Sequence, residues 1–319
     1  MSSVSRRRFI ALAGAGLGAG ALTACSVTSA ADKSEPMVWP PVEPTPTPTP
    51  SPTPRPIEPR GRVAVSLMPG SNYSVDGIAI HSGKLGPRIM VLGGVHGNEP
   101  GGWLAAEAIA DWELESGSML VLPRVNWRAA SVMERTLSEI GDINRAYPGR
   151  ADGTVAQRIA HSVVDVARDF QPELLFDLHE SWMFYGERGS NGGTAFIGQT
   201  FSVGAGATEG TIDRLANVVR AVNGQISSRE EFYMRGAATP RPGVQVLPPN
   251  PNQQQPPRPS ATPGNGVTFS GTTSLSIGQW VRGCVPILVE MGQYNQPDSR
   301  RSALHQMLVR TTLQQSGML

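Results

Sequence analysis

The sequence predicts an α/β fold: a mixed, largely parallel central sheet flanked by helices on both faces. Three observations carry this reading. Short apolar runs such as Ile89–Leu92, Leu120–Leu122 and Ile287–Val289 have the length of buried strands. Stretches with helical apolar spacing lie between such runs, among them Thr154 to Phe170. The order strand, helix, strand then calls for a right-handed crossover, and so for a parallel or mixed sheet.

The N-terminus reads as an address. Ser5-Arg6-Arg7-Arg8-Phe9-Ile10 opens a basic region, Ala11 to Ala21 is small and apolar, and Leu22-Thr23-Ala24-Cys25 closes it. The apolar run falls short of the ~20 residues of a membrane span, and its flanks fit a signal peptide. Paired arginines point to twin-arginine export, and the closing tetrapeptide to a bacterial lipobox with Cys25 as the acylated residue. A plain Sec signal with an incidental cysteine is the alternative. Residues 26–60 are rich in proline and threonine and suit an extended tether of ~3.1 Å per residue. The expected organisation is signal peptide 1–25, linker 26–60 and a folded domain over 61–319. The expected place is outside the cytoplasm, lipid-anchored to a bacterial cell membrane.

With 319 residues the chain admits one large domain or two small ones, at ~100–200 residues each. Its 27 Lys+Arg against 26 Asp+Glu give no basic character, so nucleic acid is not an expected partner. Two cysteines, Cys25 and Cys284, are too few for a disulfide framework, and Cys284 reads as buried and inert.

Val63–Leu67 and Gly77–His81 read as early strands, with His81 facing solvent or a neighbouring strand. The strand ending at Leu92 runs into Gly93-Gly94-Val95-His96-Gly97-Asn98-Glu99-Pro100-Gly101-Gly102, a glycine-rich turn before a helix from Trp103 to Glu115. A strand over Met119–Pro123 follows, then a loop to Gly149. Thr154 opens a helix with Val155, Ile159, Val163 and Val166 as its stripe and His161 off it. Glu173–Ser181 is a strand that ends in charge. Alternation places Asp177 and His179 on one face and Glu180 on the other. A buried Asp-x-His needs partners, either a metal or a hydrogen-bond network. A short strand is expected at Thr194–Ile197 and a helix at Thr211–Ile226 with Leu215, Val218, Val219 and Val222 inward. The Pro/Gln-rich tract at about 237–266 reads as a disordered insertion, a lid or a tolerated excursion. Cys284–Gly292 is the last strand, and a helix from Arg300 to about Gln314, with His305 peripheral, closes the chain.

Polar groups therefore gather at strand ends: His96 and Glu99, His179, and Glu290. Two histidines and a carboxylate form the three-ligand set of a catalytic zinc site with one open position. One Zn2+ would lower the pKa of bound water toward ~7. Glu290, arriving on another strand, suits a general base and acid.

Gly94-x-His96-Gly97-Asn98-Glu99, Asp142-x-Asn144-Arg145, Asp177-x-His179 and Glu290 together resemble the zinc carboxypeptidase superfamily. Within it they resemble the succinylglutamate desuccinylase/aspartoacylase family, from about residue 63 to residue 315 in order and spacing. The resemblance implies a zinc carboxypeptidase-like fold, with His96, Glu99 and His179 as zinc ligands and Glu290 as general base and acid. It implies Asn144 and Arg145 on a substrate carboxylate, which a guanidinium fork fits bidentately, and Asp142 orienting His96. An arginine that polarises the scissile carbonyl is expected at Arg135, with Arg128 the open alternative.

The expected function is an exported, zinc-dependent hydrolase of an amide bond in an acyl-amino acid or short peptide bearing a carboxylate. The family members compared act inside cells, whereas some zinc carboxypeptidases trim peptidoglycan peptides outside the membrane. A peptidoglycan-peptide carboxypeptidase or amidase is therefore one alternative, and a catalytically silent binding lipoprotein another. The presence of all three ligands and of Glu290 speaks against the silent form. Membrane contact is expected through the lipid anchor only, and the sequence does not specify an oligomeric state. Trp182, Phe184, Tyr185 and Tyr294 lie near the motifs and are not assigned to the site.

Overall fold

A computed structural model of the chain describes residues 59–184, 196–227, 235–237 and 273–319. The expected signal peptide, nearly all of the linker and almost the whole 237–266 insertion lie outside the described residues, as does Tyr185.

Among the described residues, eight strands form one sheet: β1 (Gly61–Leu67), β2 (Val75–His81), β3 (Arg88–Gly93), β4 (Ser118–Leu122), β5 (Leu174–Ser181), β6 (Thr200–Val203), β7 (Arg235–Ala237) and β8 (Val285–Gly292). Their spatial order is β1-β2-β4-β3-β5-β8-β6-β7. The central four, β4-β3-β5-β8, run parallel, while β1, β2 and β6 join antiparallel to their inner neighbours. This is the mixed, largely parallel sheet that the sequence predicts.

The central strands are largely apolar because both of their faces are covered, with polar groups toward the carboxyl ends of β5 and β8. Along β3, Ile89 and Val91 face one core and Met90 and Leu92 the other. The first core takes Ala105 and Ile109 of α1 (Pro100–Ala110), Leu215 and Val218 of α4 (Glu209–Asn223), and Leu304 and Leu308 of α5 (Asp298–Gln315). The second takes Ile159, Val163 and Ala167 of α3 (Val155–Phe170). Helices thus cover both faces. Burying one such aliphatic side chain contributes about 1.5–3 kcal/mol, so the doubly packed centre holds the strand ends rigid.

Several boundaries differ from the sequence reading, each for a local reason. α1 starts at Pro100, whose ring suits the first helical turn, and stops at Ala110 instead of running to Glu115. The residues after it turn away, and Glu115 N–H donates to the Met318 carbonyl at 2.8 Å. The expected loop before Gly149 contains α2 (Trp127–Ser131), capped by the Asn126 side chain, and a 3-10 turn at Ile143–Arg145, capped by Asp142. Side-chain caps create both, and apolar periodicity does not reveal them. On α3 the buried stripe is Ala156, Ile159, Ala160, Val163 and Val164, whereas Val155 and Val166 are only half-buried. The expected strand at Thr194–Ile197 falls partly outside the described residues, and the strand present is β6.

His305 is not peripheral. It is wholly buried, with no hydrogen-bond partner at either ring nitrogen, and burial pushes its pKa down to about 3. His81 pairs with the neighbouring strand, its Nδ1 lying 2.9 Å from Ser118 Oγ. His161 sits beside Asp165 at 3.1 Å on α3. Cys284 is buried and free, and burial pushes its thiol up to about 12, so it is inert.

Candidate metal centre

The site is built at the carboxyl ends of β3, β5 and β8, where parallel sheets leave side chains uncovered. After β3 the chain bends at Gly94, whose φ of +64° favours a residue without Cβ. Val125 and Asn126, at the exit of β4, donate their N–H groups to the Gly93 and Gly94 carbonyls at 2.9 and 2.8 Å. The turn delivers His96 and then Glu99, the residue that caps α1. His179 arrives on β5. Glu290 stands beside it in register on β8, so the two side chains emerge from one face of the sheet.

His96, Glu99 and His179 are buried and converge. His96 Nδ1 lies 2.8 Å from Glu99 Oε1, and His179 Nδ1 lies 2.8 Å from Glu99 Oε2. The two Nδ1 atoms are 3.0 Å apart. The outer nitrogens have other partners: Nε2 of His96 lies 3.1 Å from Asp142 Oδ1, and Nε2 of His179 lies 2.9 Å from Asp177 Oδ2. A histidine whose Nε2–H donates to a carboxylate presents an unprotonated Nδ1 on its other side. Two such lone pairs and a carboxylate meeting at one point repel each other unless a cation sits among them. Tetrahedral ligands on Zn2+ lie about 3.3 Å apart, close to these separations. The donor set therefore fits a divalent metal.

Without an ion the carboxylates draw that positive charge from protons, as the electrostatics show. Burial works against ionisation of Glu99, but the two histidines overcome it and hold its carboxyl far below the usual range. Burial also opposes the charged form of His179, and Asp177 and Glu99 reverse this and hold its pKa well above the ordinary histidine value. Asp142, half-buried, is lowered to about 2, chiefly by His96, against the desolvation that opposes it. Glu290 is pushed up to about 8, first by burial, with Glu99 and Asp177 adding and His179 and Arg135 opposing. One of its carboxylate oxygens is buried without a hydrogen-bond partner.

The structure separates the two candidate arginines. Arg135 Nη1 donates to Glu99 Oε1 at 3.1 Å and Nη2 lies 3.5 Å from Asp142 Oδ2, with its side chain half-exposed at the mouth. Arg128 lies 3.8 Å from Glu139 and stacks on Tyr73 and Trp127, outside the cluster. The expected carboxylate pair also divides. Asn144 is buried, its Oδ1 accepting from Ser274 N–H at 2.9 Å and its Nδ2 lying 3.4 Å from His179 Nε2. Both ends of the Asn144 amide thus lie beside protein atoms, at the edge of the cluster. Arg145 is exposed and touches the Asn144 carbonyl at 2.7 Å.

Nothing in the sequence marks Ser274, which is distant in the chain and of an ordinary residue type. The buried Asp-x-His marks Asp177 and His179 as groups that need partners, and the structure pairs them with each other. Trp182 and Tyr294 are exposed and meet edge to face at 6.4 Å beyond the ends of β5 and β8, whereas Phe184 is buried.

Residues 85–183 match the succinylglutamate desuccinylase/aspartoacylase catalytic domain. An N-alpha-acetyl-L-2,4-diaminobutyric acid deacetylase of Halomonas elongata is 31% identical over 98 residues, which are 30% of this chain and 28% of that enzyme. The match therefore spans less than a third of that relative. Among solved structures, a succinylglutamate desuccinylase/aspartoacylase of Rhodobacter sphaeroides superposes with a TM-score of 0.55 at 18% identity, covering 83% of this chain and 68% of that one. The product-bound ectoine utilization protein EutE (DoeB) of Ruegeria pomeroyi gives 0.54 at 17%, covering 83% and 70%. The tripeptide-bound cell shape determinant Csd4 of Helicobacter pylori gives 0.56 at 14%, covering 77% and 56%. At these identities the structures establish the fold alone. The stretch that carries two strands of its site, residues 85–183, is thus similar to the succinylglutamate desuccinylase/aspartoacylase catalytic domain.

Proposed function

We propose that the protein is a zinc-dependent hydrolase of an amide bond in an acyl-amino acid or short peptide bearing a carboxylate. One observation carries the reading: two histidines, each bound outward to a carboxylate, turn their free nitrogens and Glu99 onto one buried point. His96, Glu99 and His179 would hold the ion, and Asp142 and Asp177 fix the tautomers. Zinc there supplies Lewis acidity, which polarises a carbonyl and acidifies water.

The chain's own residues do the rest. Glu290, buried beside His179, takes the proton from the attacking water and passes it to the leaving nitrogen. Its raised pKa belongs to a pocket crowded with carboxylates. A divalent cation in that pocket favours the ionised form that a base needs. Arg135, at the mouth beside Glu99, stabilises the oxygen on which charge develops. Arg145, exposed next to the site, binds the substrate carboxylate, with Asn144 behind it.

The test is metal content after native purification, followed by assay of N-acetyl and N-succinyl amino acids against peptidoglycan stem peptides. Near-stoichiometric zinc and turnover of the acyl-amino acids are expected. Less than half an equivalent of any divalent metal would count decisively against the site. Turnover of stem peptides alone would favour the second reading, a cell-wall carboxypeptidase, which the export address and the fold shared with tripeptide-bound Csd4 support.

The same proposal places the protein outside the cytoplasm, anchored by a lipid at Cys25 and exported by the twin-arginine route. The support is the Arg6-Arg7-Arg8 block and the Leu22-Thr23-Ala24-Cys25 sequence. Cys25→Ser is expected to move the protein from the membrane fraction to the soluble one; retention in the membrane pellet would remove the lipid anchor from the reading.

A further inference from the structure

On the far face of β5 from His179 lies a charged cluster that the proposed chemistry does not use. Glu180 Oε1 accepts from Arg301 Nε at 2.7 Å, with both side chains buried. Arg301 also donates to the Gln296 carbonyl and, at 2.7 Å, to Asp298. The other Glu180 oxygen accepts from Gln293 Nε2 at 3.0 Å. The same Nε2 donates to the Asn98 carbonyl, also at 3.0 Å. Asn98 is the residue just before Glu99 in the ligand loop. The Glu180 backbone N–H in turn donates to Glu99 Oε2 at 3.0 Å.

A buried ion pair of this kind adds little stability over an apolar pair of the same volume. What it does provide here is a carboxylate fixed in place. The chain makes room for it: a Cβ at Gly101 would stand 2.1 Å from Glu180 Oε1 and 2.6 Å from Arg301 Cβ. The fixed carboxylate orients the Gln293 amide, which has two N–H donors and so can serve two acceptors at once. The tie adds to two at Gly97 in the same loop, whose N–H donates to the Arg135 carbonyl at 3.2 Å and whose carbonyl accepts from Trp103 Nε1 at 3.1 Å. Glu99 has φ −117° and ψ 65°, outside regular helix and strand, so no backbone ladder sets its spacing from His96.

We propose that Gln293, held by the Glu180–Arg301 pair, is a positioning residue that fixes the Asn98 carbonyl and through it the placing of His96 and Glu99 toward the metal. The proposal rests on the metal reading above. Gln293→Met keeps the bulk and removes both donors. It is expected to weaken zinc binding about 10- to 100-fold, as loss of a supporting contact does. The visible absorption of the cobalt-loaded protein should shift, while the denaturation midpoint of the metal-free chain stays near that of the unaltered protein. Gln293→Lys, which again offers donors to both oxygens, should recover much of the affinity. Gln293→Ala makes the same comparison should the methionine variant fail to fold. Unaltered zinc affinity and cobalt spectrum in the donor-less variant overturn the proposal and leave the metal reading standing. An unaltered chain that takes up neither metal overturns both.

Discussion

Glu290 and His305 are both buried and both titrate far from their ordinary values, yet they have opposite significance. Glu290 faces the ligands with a free oxygen. Glu290→Gln should keep the metal and lower kcat by about 100- to 10,000-fold, the usual worth of a positioned general base. Metal analysis and steady-state kinetics on one preparation check both halves, and full activity removes Glu290 from the mechanism. His305 lies beneath the sheet with two unpartnered nitrogens. Its folded pKa of about 3 is below the ordinary 6.5, so the fold prefers the neutral ring. The stability this preserves is complete above pH 6.5 and drains as pH falls toward 3, by at most about 1.4 kcal/mol per pH unit. His305→Phe should flatten that acid limb in denaturant melts at pH 7 and pH 5, and an unchanged slope would show that other groups set it. The three groups of the metal cluster were legible because acids and histidines at or just after the ends of apolar strands need partners, and Asp142 only through the family resemblance. His305 was not, because α5 buries Arg301, Ser302, Thr311 and Thr312 among its leucines and shows no clean stripe.

At the scale of elements, the strands were legible and the short helices were not. Doubly covered strands appear as plain apolar runs. α2 and the turn at Ile143–Arg145 exist because Asn126 and Asp142 hydrogen-bond to nearby backbone N–H groups. α3 shows how much one such bond matters. Thr154 accepts from the Gln157 N–H at 3.3 Å, and the Gln157 side chain accepts from the Thr154 N–H at 3.0 Å, a reciprocal cap. Thr154→Ala should lower unfolding stability by about 1 kcal/mol with kcat unchanged. A urea midpoint identical to that of the unaltered chain would mean that packing alone holds the helix end.

At the scale of the molecule, the site draws on β3, β5 and β8 at once, so an ion bound there ties together strands remote in sequence. Ligation there would require the folded chain. At free zinc 100 times its Kd, the metal should add about 2.7 kcal/mol of apparent stability. Chelation should therefore lower the melting temperature and abolish turnover together, and re-addition of zinc should restore both. A melting temperature indifferent to chelator would place the ion outside the folded core. The fold class was readable from alternation alone, since strand-helix-strand order permits few topologies. The antiparallel β6 on the outer side of β8 was not, because four residues of ordinary type carry no period.

The pairing of His179 with Glu290 across β5 and β8 has an evolutionary consequence. The two residues share a face only while both strands keep their length. One residue inserted within β8 ahead of Glu290 would turn that carboxylate to the opposite face and bring Val289 to the position beside His179. Between strands the chain can lengthen without such a penalty. Descendants of this sequence are thus free to grow in their connections, while single-residue insertions and deletions inside the central strands are eliminated.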